Sequence, residues 1–474
     1  MARSARPAIS VLLVCALAFA MAPIVLASAG PIEPLATDLP GEPLLSGQTV
    51  EDTIGPAGTD RRVYSVDLAP GELVRLTLDA DIAVADLELR LYDPATTDLA
   101  ELTRRIAVSD TPISYPAVIE YLVPPDGGGT YYVAVTVFQP PVQAVYFTLA
   151  CDIETPQVHR LAGLDRYATS IAISRSSFAT STAAVLATGA NYPDALAASA
   201  LAGALDAPLL LVRDSVFTDS FQEMVFELER VGATDLFVVG GSAVISDAVV
   251  TYLRVDRGFD VVRLWGDDRY ETAGAVAERV TDLVVGGGGT VESVFLVRGD
   301  DFADALAAGP YAFSQHMPVL LTPRTWLHPV AAGYIETYDV LDVTVVGGDA
   351  AVASGVQTTV SKLNAGHTGV ARVSGASRYE TAANLAHHAV EVRAWASWEY
   401  VGVATGLGFP DALSGAAATG RRGGVLLLTR PAAFESAPKA RMDASIAEVS
   451  TALLYGGPVV LSDGLAAEIG AMFP

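Results

Sequence analysis

The chain has 474 residues, 51% hydrophobic and 18% charged, with 54 acidic against 29 basic side chains and a formal net charge of −25. Such a composition belongs to a globular chain rather than a disordered one, and this acidity repels nucleic acid and anionic membrane surfaces, so neither is an expected partner. Only two lysines, Lys362 and Lys439, are present, so any local basic site must be built from arginine.

Arg3 and Arg6 precede an apolar stretch over 9–26 that stops at Ala27-Ser28-Ala29. This predicts an export signal over 1–29, cut before Gly30, because a signal peptidase reads small-x-small after an apolar core. Pro23 interrupts the stretch and argues against a retained membrane anchor. Cys15 has no small residue before it, which argues against lipoprotein processing, and its removal leaves Cys151 as the one cysteine, excluding an intramolecular disulfide. Residues 30–48, rich in Pro and Gly without periodicity, read as a linker.

Over 49–152 the signal is alternation. The runs 63–68, 73–78, 86–91, 131–137 and 145–149 each put apolar groups on one face and are bounded by turns such as Asp93-Pro94 and Asp126-Gly127-Gly128. Several short strands without helical patterns predict an antiparallel β-sandwich. The turn acids Asp93, Asp98 and Asp126 read as solvated rather than as calcium ligands. Asp86-Leu-Glu-Leu-Arg-Leu-Tyr-Asp-Pro94 and Gly129-Thr-Tyr-Tyr-Val-Ala-Val135 resemble the bacterial pre-peptidase C-terminal domain, a secreted accessory module whose partner here the sequence does not name.

From 158 onward the chain repeats itself. Arg160-Leu-Ala-Gly163-Leu-Asp-Arg166-Tyr167, Arg263-Leu-Trp-Gly266-Asp-Asp-Arg269-Tyr270 and Arg372-Val-Ser-Gly375-Ala-Ser-Arg378-Tyr379 share the pattern R-x-x-G-x-x-R-Y. Each is followed in the same order by Asp-Ala-Leu at Asp194, Asp304 or Asp411, a short apolar run, and a Gly-Gly pair at 240–241, 347–348 or 456–457. Four ordered blocks in three copies mark one structural unit repeated three times, over 158–260, 261–369 and 370–474. In the first copy strands are predicted at 158–161, 184–187, 208–212 and 236–239, and helices at 166–178, 195–205, 219–231 and 246–253. Unalternating apolar strands between helices indicate parallel sheets buried on both faces, hence α/β units of Rossmann-like or flavodoxin-like type.

This arrangement gathers the marked residues at the carboxyl ends of the strands, where open α/β sheets bind ligands. Asp268 with Glu271, and Ser377 with Glu380, fit capping boxes. Asp194, Asp304 and Asp411 suit the positive ends of helices. The arginines do not fit that logic, since Arg166, Arg269 and Arg378 lie in the first turn of a helix, where a cation is disfavoured. Each therefore requires a negative partner. Two are available: the aspartate of the same copy, pairing Arg166 with Asp194, Arg269 with Asp304 and Arg378 with Asp411, or an anionic ligand held by the guanidinium fork.

The R-x-x-G-x-x-R-Y-x-T motif, the Pro-Asp-Ala-Leu block and the Gly-Gly pair resemble the type 2 cell-wall-binding repeat of secreted bacterial proteins. The resemblance implies three repeats about a pseudo-threefold axis and non-covalent attachment to an anionic cell-wall glycopolymer, with Arg160, Arg166, Arg263, Arg269, Arg372 and Arg378 as candidate ligand contacts. Ala303 departs from the proline of Pro193 and Pro410, and Ala376-Ser377 from Asp267-Asp268, so the copies need not bind equally.

No catalytic, metal or cofactor motif is found: H-E-x-x-H and G-x-S-x-G are absent and Gly406-Leu-Gly408 lacks the third glycine of a dinucleotide loop. No apolar anchor follows the last Gly-Gly, which predicts non-covalent retention at the surface. Two alternatives stand beside that expectation. One is a wall hydrolase, should strand-end carboxylates such as Asp194 and Asp304 face one another across a cleft. The other is a self-associating surface-layer or adhesive protein.

Overall fold

The computed structural model describes residues 39–55, 61–80, 87–99, 104–109, 116–137, 144–216, 218–363 and 368–474. The expected export signal and the first part of the expected linker lie outside them.

Among the described residues the N-terminal part holds nine strands: β1 (Glu42–Pro43), β2 (Gln48–Ile54), β3 (Arg61–Leu68), β4 (Leu73–Ala80), β5 (Leu87–Tyr92), β6 (Arg105–Ser109), β7 (Ala117–Leu122), β8 (Gly129–Val137) and β9 (Val145–Glu154). They form two sheets, in the orders β1-β3-β8-β5-β6 and β2-β9-β4-β7. All the ladders are antiparallel except β1 with β3. Alternation does the sorting: in β5, Leu87, Leu89 and Leu91 are buried while Glu88 and Arg90 between them are only partly so. Val66, Leu89 and Val133 of the first sheet and Leu76, Ile119 and Leu149 of the second share one core. Cys151 lies in that core as a free thiol, pushed up to about 12 by burial, and is therefore inert. The linker expectation is corrected at its end: β1 pairs with β3 and Leu44 is buried in the same core. Two residues of strand are too few to show a period.

The repeats supply β10 (Val158–Leu161), α1 (Arg166–Ser177), β11 (Ala183–Thr188), α2 (Ala198–Ala204), β12 (Leu209–Val212), α3 (Asp219–Val231), β13 (Asp235–Val239) and α4 (Asp247–Thr251). The second copy follows with β14 (Asp260–Leu264), α5 (Arg269–Gly286), β15 (Ser293–Arg298), α6 (Ala303–Ser314), β16 (Val319–Thr322), α7 (Pro329–Thr337), β17 (Asp342–Val346) and α8 (Ser354–Val360). The third has β18 (Gly369–Val373), α9 (Arg378–His387), β19 (Tyr400–Thr405), α10 (Pro410–Arg421), β20 (Val425–Thr429), α11 (Ser436–Ala444), β21 (Thr451–Tyr455) and α12 (Asp463–Gly470).

These strands make three parallel sheets, β12-β11-β13-β14, β16-β15-β17-β18 and β20-β19-β21-β10. The first strand of each copy thus completes the sheet of another copy. β14 joins the first copy's sheet and β18 the second's, while β10 runs back to the third, with Val158 opposite Ala452 and Leu161 opposite Tyr455. This corrects the assignment of 158–161 to the sheet of its own repeat, and it closes the three units into a ring whose seams are crossed by main-chain ladders. At the centre α2, α6 and α10 pack on one another. The approach is close enough that a Cβ on Gly203 would fall 2.1 Å from the Phe313 carbonyl oxygen.

Candidate functional site

The repeated motif sits at the carboxyl edge of the sheets, and each of its fixed residues has a contact that explains it. The first arginine holds a neighbouring copy's Gly-Gly turn: Nη1 donates to the carbonyl of Gly456 from Arg160 (2.8 Å), of Gly240 from Arg263 (2.7 Å) and of Gly347 from Arg372 (2.6 Å). Arg160 and Arg263 also reach Asp463 and Asp247 at 3.2 and 3.3 Å. The motif glycine leaves room for the following helix, since a Cβ on Gly163 would lie 2.4 Å from that of Ala168. The threonine after the tyrosine accepts the N–H of that glycine, Thr169 from Gly163, Thr272 from Gly266 and Thr381 from Gly375. The residue before the second arginine caps its helix: Asp165 accepts from Tyr167 and Ala168, Asp268 from Tyr270 and Glu271, and Ser377 from Glu380. Glu271 and Glu380 reach back to the N–H of Asp267 and Ala376, one residue before the cap itself.

The second arginines span the seams. On one side Nη1 of Arg166, Arg269 and Arg378 donates to the carbonyls of Gly189, Gly299 and Gly406 in their own copies, at 2.7, 2.8 and 2.7 Å. On the other side each faces the preceding copy around the ring. Arg269 acts on Asp194, Arg378 acts on Asp304 and lies 3.6 Å from Asp301, and Arg166 acts on Asp411. The charge that acts on each aspartate therefore comes from the neighbouring copy's arginine and not, as expected from sequence, from its own copy's. The cause is the strand exchange: because β14 belongs to the first sheet, the helix start that follows it is delivered beside Asp194.

Burial raises the carboxyl pKa of Asp194, with Arg269 and a hydrogen bond from Thr272 opposing it. Burial likewise pushes Asp304 and Asp411 up to about 6 against the pull of Arg378 and Arg166. Each carboxylate lies under the first glycine of its own Gly-Gly pair, so that a Cβ on Gly347 would be 2.4 Å from Asp304 Oδ2. Asp194 and Asp304 occupy different seams, so the facing pair that a hydrolase would need is not formed by them.

Two features escaped the sequence reading. An aromatic residue stands two places before each of these aspartates, and Tyr192, Phe302 and Phe409 meet with ring centroids 5.4, 5.9 and 6.4 Å apart. Arg378 and Arg166 lie over the Phe302 and Phe409 rings at 5.3 and 6.0 Å. The recurrence of that aromatic in all three copies was the available signal. The second feature is a cleft of about 220 Å³ between the first two copies, lined by Thr188, Asn191, Pro193, Asp194, Val244, Asp268 and Arg269.

Away from this edge, Asp126 is not a solvated turn acid. It pairs with Arg421 at 2.9 Å and accepts from Ala179 N, fastening the β-rich part to the ring. Among the described residues no group of three His, Cys, Asp or Glu could hold a metal ion, and no helix is long and apolar enough to cross a membrane.

The sequence profile described as cell wall binding domain 2 matches residues 160–250, 263–357 and 372–466. The N-acetylmuramoyl-L-alanine amidase LytC of Bacillus subtilis is 29% identical over 272 residues, 57% of this chain and 50% of that protein. The amidase enhancer of the same organism is 26% identical over 285 residues, 59% of this chain and 36% of that protein. The chain thus spans about half or less of the curated relatives it matches. Among solved structures, Cwp6 from Clostridium difficile superposes with a TM-score of 0.60 at 18% identity, over 87% of this chain and 68% of that one.

Proposed function

The chain belongs to the cell wall binding domain 2 family, a secreted surface protein that binds the wall through three tandem copies, and on that premise we propose that the seams of the ring hold an anionic wall glycopolymer. Arg166, Arg269 and Arg378 are the contacts to the polymer. Arg160, Arg263 and Arg372 are positioning residues that fix the Gly-Gly turns. We read the parallel sheets as Rossmann-like layers, and the two N-terminal sheets as a sandwich of the pre-peptidase C-terminal type that faces away from the wall.

One observation carries this reading. Each second arginine spends one N–H on a glycine carbonyl of its own copy and turns the rest of its fork to a seam, beside an aspartate whose pKa burial raises, with Arg378 also 3.6 Å from Asp301. A planar fork fixed at one corner is preorganised for a phosphate or carboxylate. Three such forks on one edge give multivalent holding, in which weak single contacts combine. The acidic remainder of the chain limits this attraction to short range, within a Debye length of about 8 Å at physiological salt.

The test is retention on purified walls before and after chemical removal of their anionic polymer. Loss of retention on stripped walls is expected, and equal retention would overturn the polymer as ligand.

A further inference from the structure

The three seams share an arginine and an aspartate but differ at the third motif position, which is Ala162, Trp265 or Ser374. Trp265 is 54% exposed. Its indole lies over the second glycine of the first Gly-Gly pair: a Cβ on Gly241 would be 3.6 Å from Trp265 Cε3. At the corresponding Gly348 the nearest atom is the Ser374 Cβ at 3.9 Å, and at Gly457 nothing lies within 4 Å. The adjoining Gly240 rests on Asp194, with 3.1 Å from a Cβ there to Oδ2. The indole therefore lies against the outer glycine of a turn whose inner glycine rests on Asp194, and Asp194 lines the cleft together with Asn191, Asp268 and Arg269. Asn191 Oδ1 accepts the N–H of Tyr192, which leaves its amide NH₂ as a donor. Arg269 has only the Gly299 carbonyl as hydrogen-bond partner among the described residues.

An indole left half in water beside a polar cleft forgoes the burial that such a large apolar surface would otherwise gain. A pyranose ring recovers it. One face of the ring is a set of C–H groups that packs on an aromatic plane, and its equatorial hydroxyls pair with planar amide and carboxylate groups at the edge. We infer that Trp265 is the stacking platform for a pyranose ring of the wall polymer, making the seam between the first and second copies the sugar-reading subsite. Asp194 accepts from and Asn191 donates to its hydroxyls, and Arg269 holds the neighbouring anionic group. The seam that closes the ring, with Ala162 at this position, holds charge without reading the sugar. This inference rests on the wall-polymer reading above.

The experiment uses the full mature chain and the oligosaccharide released by mild acid from the walls that retain it, freed of phosphate. Titration is followed by tryptophan fluorescence and by calorimetry. The unsubstituted chain gives a saturable fluorescence change, and Trp265→Ala abolishes it and weakens the fragment about tenfold. Trp265→Phe keeps most of the affinity, which separates stacking from folding. Trp326→Ala, at a tryptophan 50% exposed elsewhere on the second copy, leaves both signals unchanged. Walls that retain the chain while Trp265→Ala binds the fragment as the unsubstituted chain does, or while the fragment binds neither, would overturn the sugar subsite alone. Failure of the walls to retain any of these chains would overturn the reading beneath it.

Discussion

Arg160 donates Nη1 to the carbonyl of Gly456 at 2.8 Å, across 296 residues of chain. The bond lies beside the β10–β21 ladder, so this side chain and four residue pairs close the sheet that the first repeat shares with the last. The counterparts from Arg263 and Arg372 bind copies adjacent in sequence.

Arg160→Ala is expected to cost about 2 kcal/mol, the value of a charge-assisted hydrogen bond whose acceptor is left short of a partner. Thermal unfolding should shift down by a few degrees. The closure role also predicts earlier exchange of the β10 amides than of β14 or β18. Amide exchange measured by mass spectrometry checks this, and equal protection of all three strands would contradict it.

Gly347 combines φ of +108° with the Asp304 carboxylate under its Cα. Gly347→Ala is expected to lose about 3 kcal/mol, from left-handed backbone strain and the clash together. Combining it with Asp304→Ala should recover only the clash with the carboxylate, since the Ala351 Cβ still lies 2.8 Å from the added Cβ. Denaturant titration of the single and double variants measures both parts.

Asp304 and Asp411 give a pH dependence of known sign. Asp304 faces Asp301, Arg378 and Arg298, and Asp411 faces Arg166; burial is the largest influence on both, leaving them near 6. Between the ordinary aspartate value of about 3.9 and 6 the folded chain holds protons that the unfolded chain has released. Their stabilising contribution is therefore complete below the lower value and is lost as pH rises through 6. Asp304→Asn and Asp411→Asn should each raise stability at pH 7.5 by about 1 to 2 kcal/mol relative to the unsubstituted chain, with the gain vanishing by pH 4. Melting curves across that range decide it. A lower melting temperature for the variants at pH 7.5 would count against burial as the dominant influence.

Arg421 is the clasp between the β-rich part and the ring. Its guanidinium, 11% exposed, meets Asp126 at 2.9 and 3.1 Å and Asp206 at 2.8 and 3.1 Å, donates to the Ser177 carbonyl and lies 4.4 Å over the Phe178 ring. Arg421→Ala leaves two carboxylates without their cation and should cost about 3 kcal/mol. Limited proteolysis should then cut near residues 155–157, where the two parts join, while the ring stays intact. Unchanged resistance there would show that apolar packing alone holds the junction.

Local order along the chain was legible because it rests on local patterns. α3 spans the predicted 219–231 and α1 begins at the predicted Arg166. The capping role of Asp268 and Ser377 follows from side-chain chemistry within three residues. What failed was long-range. Nothing local distinguishes β10 as a partner of β13 from β10 as a partner of β21, since a short apolar strand fits either sheet. The same-copy pairing of Arg269 with Asp304 depends on that choice, and the observed strand exchange instead brings Arg269 beside Asp194 of the preceding copy. Asp126 was misread for the same reason, because its cation lies in the third copy. The bonds from the first arginines to the Gly-Gly carbonyls are long-range in the same way, since each crosses from one copy to another.

Whether the three seam arginines hold the wall is read from retention of the triple variant Arg166→Gln, Arg269→Gln, Arg378→Gln on purified walls. Glutamine keeps the side-chain stem but is too short to reach the glycine carbonyl held by Nη1, so the circular dichroism spectrum should stay that of a folded chain while the melting temperature falls, and retention is compared well below it. Retention is predicted to fall by at least about tenfold, the loss of one to a few charge-assisted contacts. The gap between the two chains should narrow as salt rises. A folded triple variant that stays on the walls as firmly as the unsubstituted chain would show that these arginines do not hold the polymer.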